Sequence, residues 1–241
     1  MSLRQTLIGL AVMVAGCGRA APPASVALPS PGKAVLELQI VAEPKDGVSA
    51  EPADPGTYVT PVMERLDYAN LPDIVVWLEP VNGSPTGATG LAPVPVDVDP
   101  RQAAGGVAAA VTVGQKIVLH NTSSMAADFY SVSDGNDFDL GQIAPGATAS
   151  YTVKSIGLID VLTDSVRDPI VRIYAAPTSR VQLTAAGKTV EFRDLPPGQY
   201  KAITWHPRLP GSELPIVLSA DQITTATAKV GVNDLPKIAS H

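Results

Sequence analysis

The chain has 241 residues, 17 basic and 23 acidic side chains, three histidines and one cysteine, with a net charge of −6. This acidic balance and the lack of a basic cluster exclude a nucleic-acid surface built on phosphate contacts, and leave no polybasic stretch for a membrane headgroup. A single cysteine excludes an intramolecular disulfide, so the fold must rest on packing of its 45% apolar residues.

Residues 1–16 have the parts of a secretory signal: Arg4 near the start, an apolar run over 7–14, and small residues at the cut. The apolar run is shorter than the roughly 20 residues that a bilayer-spanning helix requires. Val14-Ala15-Gly16-Cys17 resembles the lipobox of bacterial lipoproteins. The resemblance implies cleavage before Cys17 and acylation of that residue with palmitate-class chains, more than one of which is needed for stable anchoring. Gly18 follows the cysteine where an aspartate would signal inner-membrane retention. The same resemblance therefore implies the outer membrane, on the periplasmic side of the cell envelope. Residues 17–34, rich in proline, alanine and serine, read as a lipid-anchored tether.

From residue 35 the texture changes. Residues 35–41 alternate apolar with polar side chains and predict a strand, and 73–80 predict a second, more deeply buried one. A Pro-, Gly- and Asp-rich loop separates them, and a short helix over 61–68 is the only helical expectation. Another loose stretch covers 81–106. Strands are then expected at 107–113, 116–120, 148–153, 158–162 and 171–175, and again at 180–183, 189–192, 200–205, 214–218 and 226–232. The run Asp134-Gly135-Asn136-Asp137-Phe138-Asp139 predicts a hairpin turn followed by a strand. It lacks the EF-hand order because Phe138 takes the fifth position. Short strands punctuated by 23 prolines and 20 glycines, with no internal repeat, predict an all-β fold of sandwiches.

Gly114-Gln115-Lys116-Ile117-Val118-Leu119-His120-Asn121, Tyr130-Ser131-Val132-Ser133, Phe138-Asp139-Leu140-Gly141, Pro145-Gly146 and Gly157-Leu158-Ile159 resemble, in order and spacing, the plastocyanin-like or cupredoxin fold. The flanking runs Leu195-Pro196-Pro197-Gly198-Gln199-Tyr200 and Trp205-His206-Pro207-Arg208-Leu209-Pro210-Gly211 resemble a transthyretin-like, or carboxypeptidase-regulatory-like, segment. The two together are similar to the exported bacterial proteins called methylamine-utilisation-like. The implied organisation is a cupredoxin-like Greek-key sandwich over 100–177, inserted into a transthyretin-like β-sandwich built from 35–80 and 178–238. Two isolated strands cannot bury a sheet face, which is the physical reason for joining 35–80 to the later strands.

In that family copper is held by two histidines, a cysteine and a methionine. The corresponding positions are occupied by Ala127, Thr163, Val166 and Pro169, none of which is an imidazole, a thiolate or a thioether. The resemblance thus implies the fold without the copper, and no metal or cofactor-binding residue is expected. The remaining histidines give weak alternatives. His120 with Met125 and Asp128 makes a conceivable ligand set, but a hydrogen-bonded histidine at a strand end is the simpler reading. His206 is expected to pack and form a turn beside Trp205 and Pro207. No nucleophile–histidine–acid arrangement, phosphate-cradling glycine loop or His-Glu-x-x-His motif occurs, so no catalytic residue is expected. Asp97 and Asp99 read as solvated carboxylates. The expected function is a non-catalytic periplasmic binding or scaffold lipoprotein. It would be held to the membrane through its N-terminal lipid, with a protein partner in the cell envelope and no nucleic-acid partner. The alternative is a copper-binding or electron-transfer protein with an altered site.

Overall fold

The computed structural model describes residues 28–47 and 66–233. Cys17, the signal, most of the tether, residues 61–65 of the expected helix and the last eight residues lie outside this set. Fifteen strands form four sheets, and there is no helix among the described residues. The chain is all-β.

The sheets stack face to face in four layers, an arrangement visible in the burial of each strand. The first layer places β1 (Ala34–Ala42) between β12 (Thr189–Leu195), antiparallel to it, and β15 (Ile223–Val230), parallel to it. The second runs β11 (Val181–Thr184), β2 (Ile74–Pro80), β13 (Gly198–His206) and β14 (Leu209–Leu218). Leu36, Leu38 and Ile40 face Ile74, Val76, Leu78, Tyr200 and Ala202 across the core of this first sandwich. The third layer is β4 (Val107–Thr112), β10 (Val166–Ala176), β9 (Gly157–Thr163), β6 (Ala127–Ser133) and β7 (Asn136–Ile143). The fourth is β3 (Val94–Val98), β5 (Lys116–Asn121) and β8 (Thr148–Thr152). Their shared core holds Val96, Ile117, Leu119, Phe129, Ile159, Val161 and Ile173. The chain crosses repeatedly between these two sheets, at β4–β5, β5–β6, β7–β8 and β8–β9, in Greek-key fashion.

A smaller third core joins the sandwiches. On β2 the even-numbered residues Ile74, Val76 and Leu78 point into the first sandwich, while Val75 and Trp77 point the other way. On β10, Ile173 and Ala175 enter the second sandwich, while Tyr174 and Ala176 leave it to meet Val75 and Trp77. Both strands are covered on both faces in these segments, which is why 74–78 and 173–176 read as continuous apolar runs rather than alternating ones. Tyr174 sits between two indoles, its ring centroid 4.2 Å from that of Trp205 and 5.7 Å from that of Trp77. The pairing of β2 with β11 and β13 ties residues 74–80 to the C-terminal third of the chain, with Val75 opposite Trp205 and Leu78 opposite Ala202.

Free sheet edges are closed at the corners of the first sandwich. Gln182 donates its side-chain amide to the Glu191 carbonyl at 2.6 Å, linking β11 to β12. Ser212 donates its hydroxyl to the Lys229 carbonyl at 2.6 Å, linking β14 to β15. Such contacts blunt edges that would otherwise pair with another chain.

Several local expectations need correction. Residues 66–68 form coil and turn with no helical turn, and Asp67 accepts from the Ala69 and Asn70 N–H groups. The stretch 81–106 contains strand β3, so the second sandwich begins near residue 94 rather than 100. Pro95 masks its alternating pattern and is tolerated because β3 is an edge strand. Strand β6 precedes the expected turn at 134–135, and the hairpin itself forms as anticipated. Residues 28–33, assigned by composition to the tether, are fastened to the first sandwich. Ser30 donates to the Asp194 carboxylate at 2.7 Å, Gly32 N–H donates to Asp221 at 2.6 Å, and Asp221 N–H returns a bond to the Lys33 carbonyl. Asp194 and Asp221 both have left-handed backbone conformations, with φ of 54° and 60°. Aspartate tolerates this region because its short side chain can bond locally.

Candidate functional site

The end of the second sandwich where the resemblance places copper is built by β5, β6, β9 and β10 and the segments joining them. Asn121, the last residue of β5, is fully buried there with all four of its hydrogen-bonding capacities filled. Its amide nitrogen donates to the Met125 carbonyl at 2.8 Å and the Ile143 carbonyl at 2.9 Å. Its amide oxygen accepts from the Ser123 N–H at 3.0 Å and the Ser123 hydroxyl at 2.8 Å. This one side chain fixes the β5–β6 loop and the end of β7, and so sets the position of Ala127 at the start of β6.

Ala127 pairs with Ile143 and packs against the core with no donor atom to offer. Residues 163–169 are not the open loop that the resemblance implies. Thr163 pairs directly with Val166 across a two-residue turn, making a β9–β10 hairpin, and a register shift takes up the residues between Val166 and Val171. Thr163 is buried and its hydroxyl lies 3.5 Å from that of Ser165. Val166 packs on the core. The main chain of 99–106 crosses this hairpin as a strap: the Ser165 hydroxyl donates to the Pro100 carbonyl at 3.0 Å, and Ala104 N–H donates to the Pro169 carbonyl at 2.7 Å. Asp99 anchors the strap by a two-point contact with Arg101, at 2.7 and 2.8 Å, which holds its carboxyl down at about 2. The residues at the four positions do not fit a copper ion. A methyl, a hydroxyl, an isopropyl group and a proline ring supply neither imidazole nor sulfur, and backbone hydrogen bonds already occupy the strap and hairpin.

The other sequence candidates are dispersed. His120 Nδ1 lies 2.9 Å from an Asp97 carboxylate oxygen, and both side chains are exposed, at 38% and 78%. The pair arises because Asp97 and His120 are direct partners in the β3–β5 ladder. The conceivable set of His120 with Met125 and Asp128 is thereby corrected to a two-residue surface pair, with Met125 half exposed. Among the described residues no three His, Cys, Asp or Glu side chains converge on one point. Asp134 and Gly135 form a hairpin turn. Gly135 has φ of 66°, and a Cβ there would lie 2.3 Å from the Ser155 hydroxyl, so this turn needs glycine. Neighbouring Asn136 is fully buried and clamps the 154–155 turn by accepting from the Lys154 and Ser155 N–H groups and donating to the Ser155 carbonyl.

A second polar feature, which the sequence does not announce, lies at the joint between the sandwiches. Asp73 precedes β2 with φ of 60°, and its carboxylate accepts the Val107 N–H at 2.9 Å from the other sandwich. A Cβ on Gly106 would lie 2.5 Å from this carboxylate, so only glycine permits the approach. Asp73 and His206 line one cavity of about 390 Å³ with Asp67, Arg172 and Arg208. His206 is 4% exposed, and its Nδ1 accepts the Arg208 N–H at 3.1 Å within the Pro207–Arg208 turn. Burial lowers its pKa, opposed by Asp73 and reinforced by Arg208. The expectation that His206 packs and forms a turn matches this geometry. Its burial between the layers could not be read from the Trp-His-Pro run. Nearby, the Leu195–Tyr200 run forms a corner in which the Tyr200 hydroxyl donates to the Pro196 carbonyl at 2.9 Å.

No protein-family model matches the chain, and no curated protein matches it. Among solved structures it is similar to amicyanin, a cupredoxin. A copper(I) form of a methionine-to-alanine amicyanin variant shares 18% identity over 41% of this chain and 98% of that one, with a TM-score of 0.28. An oxidized methionine-to-lysine variant shares 17% over 42% and 99%, with a TM-score of 0.29. A reduced tryptophan-to-tyrosine variant gives 17%, 41% and 98%, with a TM-score of 0.27. The likeness covers less than half of this chain and concerns fold alone.

Proposed function

We propose that this chain is a non-catalytic lipoprotein of the bacterial cell envelope. In this reading it is anchored through Cys17 on the periplasmic side of the outer membrane and presents its β-sandwiches to a protein partner as a binding or scaffold module. The second sandwich is a degenerate cupredoxin domain, and the first is its transthyretin-like companion. The observation that carries the non-redox part is the closed end of the second sandwich. There Thr163 and Val166 are paired strand residues beneath the 99–106 strap, with no ligand side chain among the four positions. The anchored part rests on the Val14-Ala15-Gly16-Cys17 run and the single cysteine. Loops at sandwich ends are ordinary recognition surfaces, which supports the binding role.

Two measurements test this reading. A soluble form beginning at Gly18, titrated with copper(I) or copper(II), shows no shift of the Ala127, Thr163 and Val166 amides in nitrogen-15 spectra; saturable shifts confined to these amides overturn the non-redox assignment. In cells, an alkyne-tagged palmitate analogue labels the wild-type chain and leaves Cys17→Ser unlabelled. Equal labelling of both overturns the anchor.

A further inference from the structure

His206 closes strand β13 at a two-residue turn, opposite Leu209, and its Nδ1 is the acceptor for the Arg208 N–H. A ring nitrogen that accepts carries no proton, so the neutral imidazole holds its hydrogen on Nε2. The ring is nearly inaccessible and faces the cavity between the layers. Among the described residues, the titratable or charged groups lining that cavity are Asp67 and Asp73 ahead of β2, Arg172 from β10 and Arg208 from the turn itself. Arg172 lies 3.4 Å from Asp160, and Asp67 is held by its own turn, so Asp73 is the carboxylate available to a new cation. Asp73 is also the clasp between the sandwiches, through Val107 N–H. The residue before His206 is Trp205, which stacks on Tyr174 of the other sandwich.

We propose that His206 makes the joint between the two sandwiches acid-sensitive: protonation of its ring opens the Pro207–Arg208 turn and draws Asp73 from Val107, loosening the layers. A proton on Nδ1 sets two donors against each other where one hydrogen bond stood, and places a third cation beside Arg172 and Arg208. Among the described residues lining the cavity, the Asp73 carboxylate is the one placed to offset it, and turning to the ring weakens its hold on the other sandwich. Burial keeps the native ring easier to deprotonate than the ordinary 6.5. The unfolded state therefore binds the proton first as pH falls. The stability tied to neutral His206 is complete above 6.5 and is lost as pH drops through 6.5 towards the lower native value.

The test follows the full chain from pH 7.5 to 5 by near-ultraviolet circular dichroism, which reads the Trp77–Tyr174–Trp205 stack. The expected result is loss of that signal as pH falls below 6.5 in the wild type and a flat profile in His206→Asn, whose Oδ1 stands where Nδ1 does and accepts the Arg208 N–H without titrating. A flat wild-type profile overturns the proposal, as does a His206→Asn profile that falls over the same range. Nitrogen-15 spectra of the histidine rings in the wild type give a second reading that needs no variant. Nδ1 of His206 is expected to be unprotonated at pH 7.5 and to titrate below the ordinary 6.5. Protonated Nδ1 at pH 7.5, or titration at or above 6.5, overturns it.

Discussion

The closed end of the second sandwich and the joint between the sandwiches bury polar groups in opposite ways. At the closed end every buried polar side chain is neutral and matched: Asn121 fills four hydrogen bonds, Ser123 answers two of them, and the strap ties its main chain to Pro169. At the joint the polar groups are ionisable: a carboxylate on a left-handed backbone, a buried imidazole and two guanidinium groups around one cavity. Neutral matched networks specify a single geometry and are indifferent to pH. Ionisable groups between packed layers tie geometry to the proton. The fold is rigid at the closed end of the second sandwich and sensitive where the two halves meet.

The largest expected effect breaks the joint. Tyr174→Ala removes the ring sandwiched between Trp77 and Trp205 and should cost roughly 3–5 kcal/mol, as for other large buried rings. Guanidinium unfolding should then show two transitions where the wild type shows one, because the sandwiches no longer share a core. Next comes the closed end. Asn121→Ala leaves the Met125 and Ile143 carbonyls and the Ser123 N–H without their partner, a loss of about 2–3 kcal/mol for buried groups left unpaired. If the contrast holds, this loss has the same size at pH 7.5 and pH 5.5, whereas the cost of joint variants changes with pH.

A smaller effect is expected from Gly106→Ala, whose methyl group must displace the Asp73 carboxylate from Val107. Overpacking of this kind costs about 1–3 kcal/mol, and the thermal midpoint should fall accordingly. The smallest effect concerns Tyr151, whose ring packs on Phe138 at 4.3 Å while its buried hydroxyl has no partner. Tyr151→Phe removes only that hydroxyl, so stability should be unchanged or higher by up to about 1 kcal/mol. A clear loss in chemical denaturation would mean that the hydroxyl is bonded.

Much of the layered architecture was legible in the chain. The run 74–78 reads as deeply buried because no polar residue interrupts it, and β2 does face both a sandwich core and the joint. Strand β3 was hidden because Pro95 breaks the expected composition, although Val94, Val96 and Val98 keep the period of two. Strand β6 was hidden by its polar residues Asp128, Ser131 and Ser133; Ser131 is buried and accepts the Ser133 N–H, and the Ser133 hydroxyl accepts the Asp160 N–H. At the candidate sites, the absence of copper-type side chains could be read directly, residue by residue. The strap could not, because it rests on main-chain bonds to Pro100 and Pro169 that leave no mark on side-chain pattern. Nor could the clasp. A positive φ announces itself when glycine is present, but Asp73 carries one silently, and Gly106 reads as an ordinary loop glycine until the carboxylate beside it is seen.

The central claim is that the β9–β10 end of the second sandwich is shut by its own backbone, and amide hydrogen exchange tests it most directly. Ala104 N–H, bonded to Pro169, and the Thr163–Val166 hairpin should exchange as slowly as neighbouring sheet amides, with rates unchanged by added copper ions. Fast exchange typical of an open loop, or a copper-dependent change confined to these amides, would contradict the account.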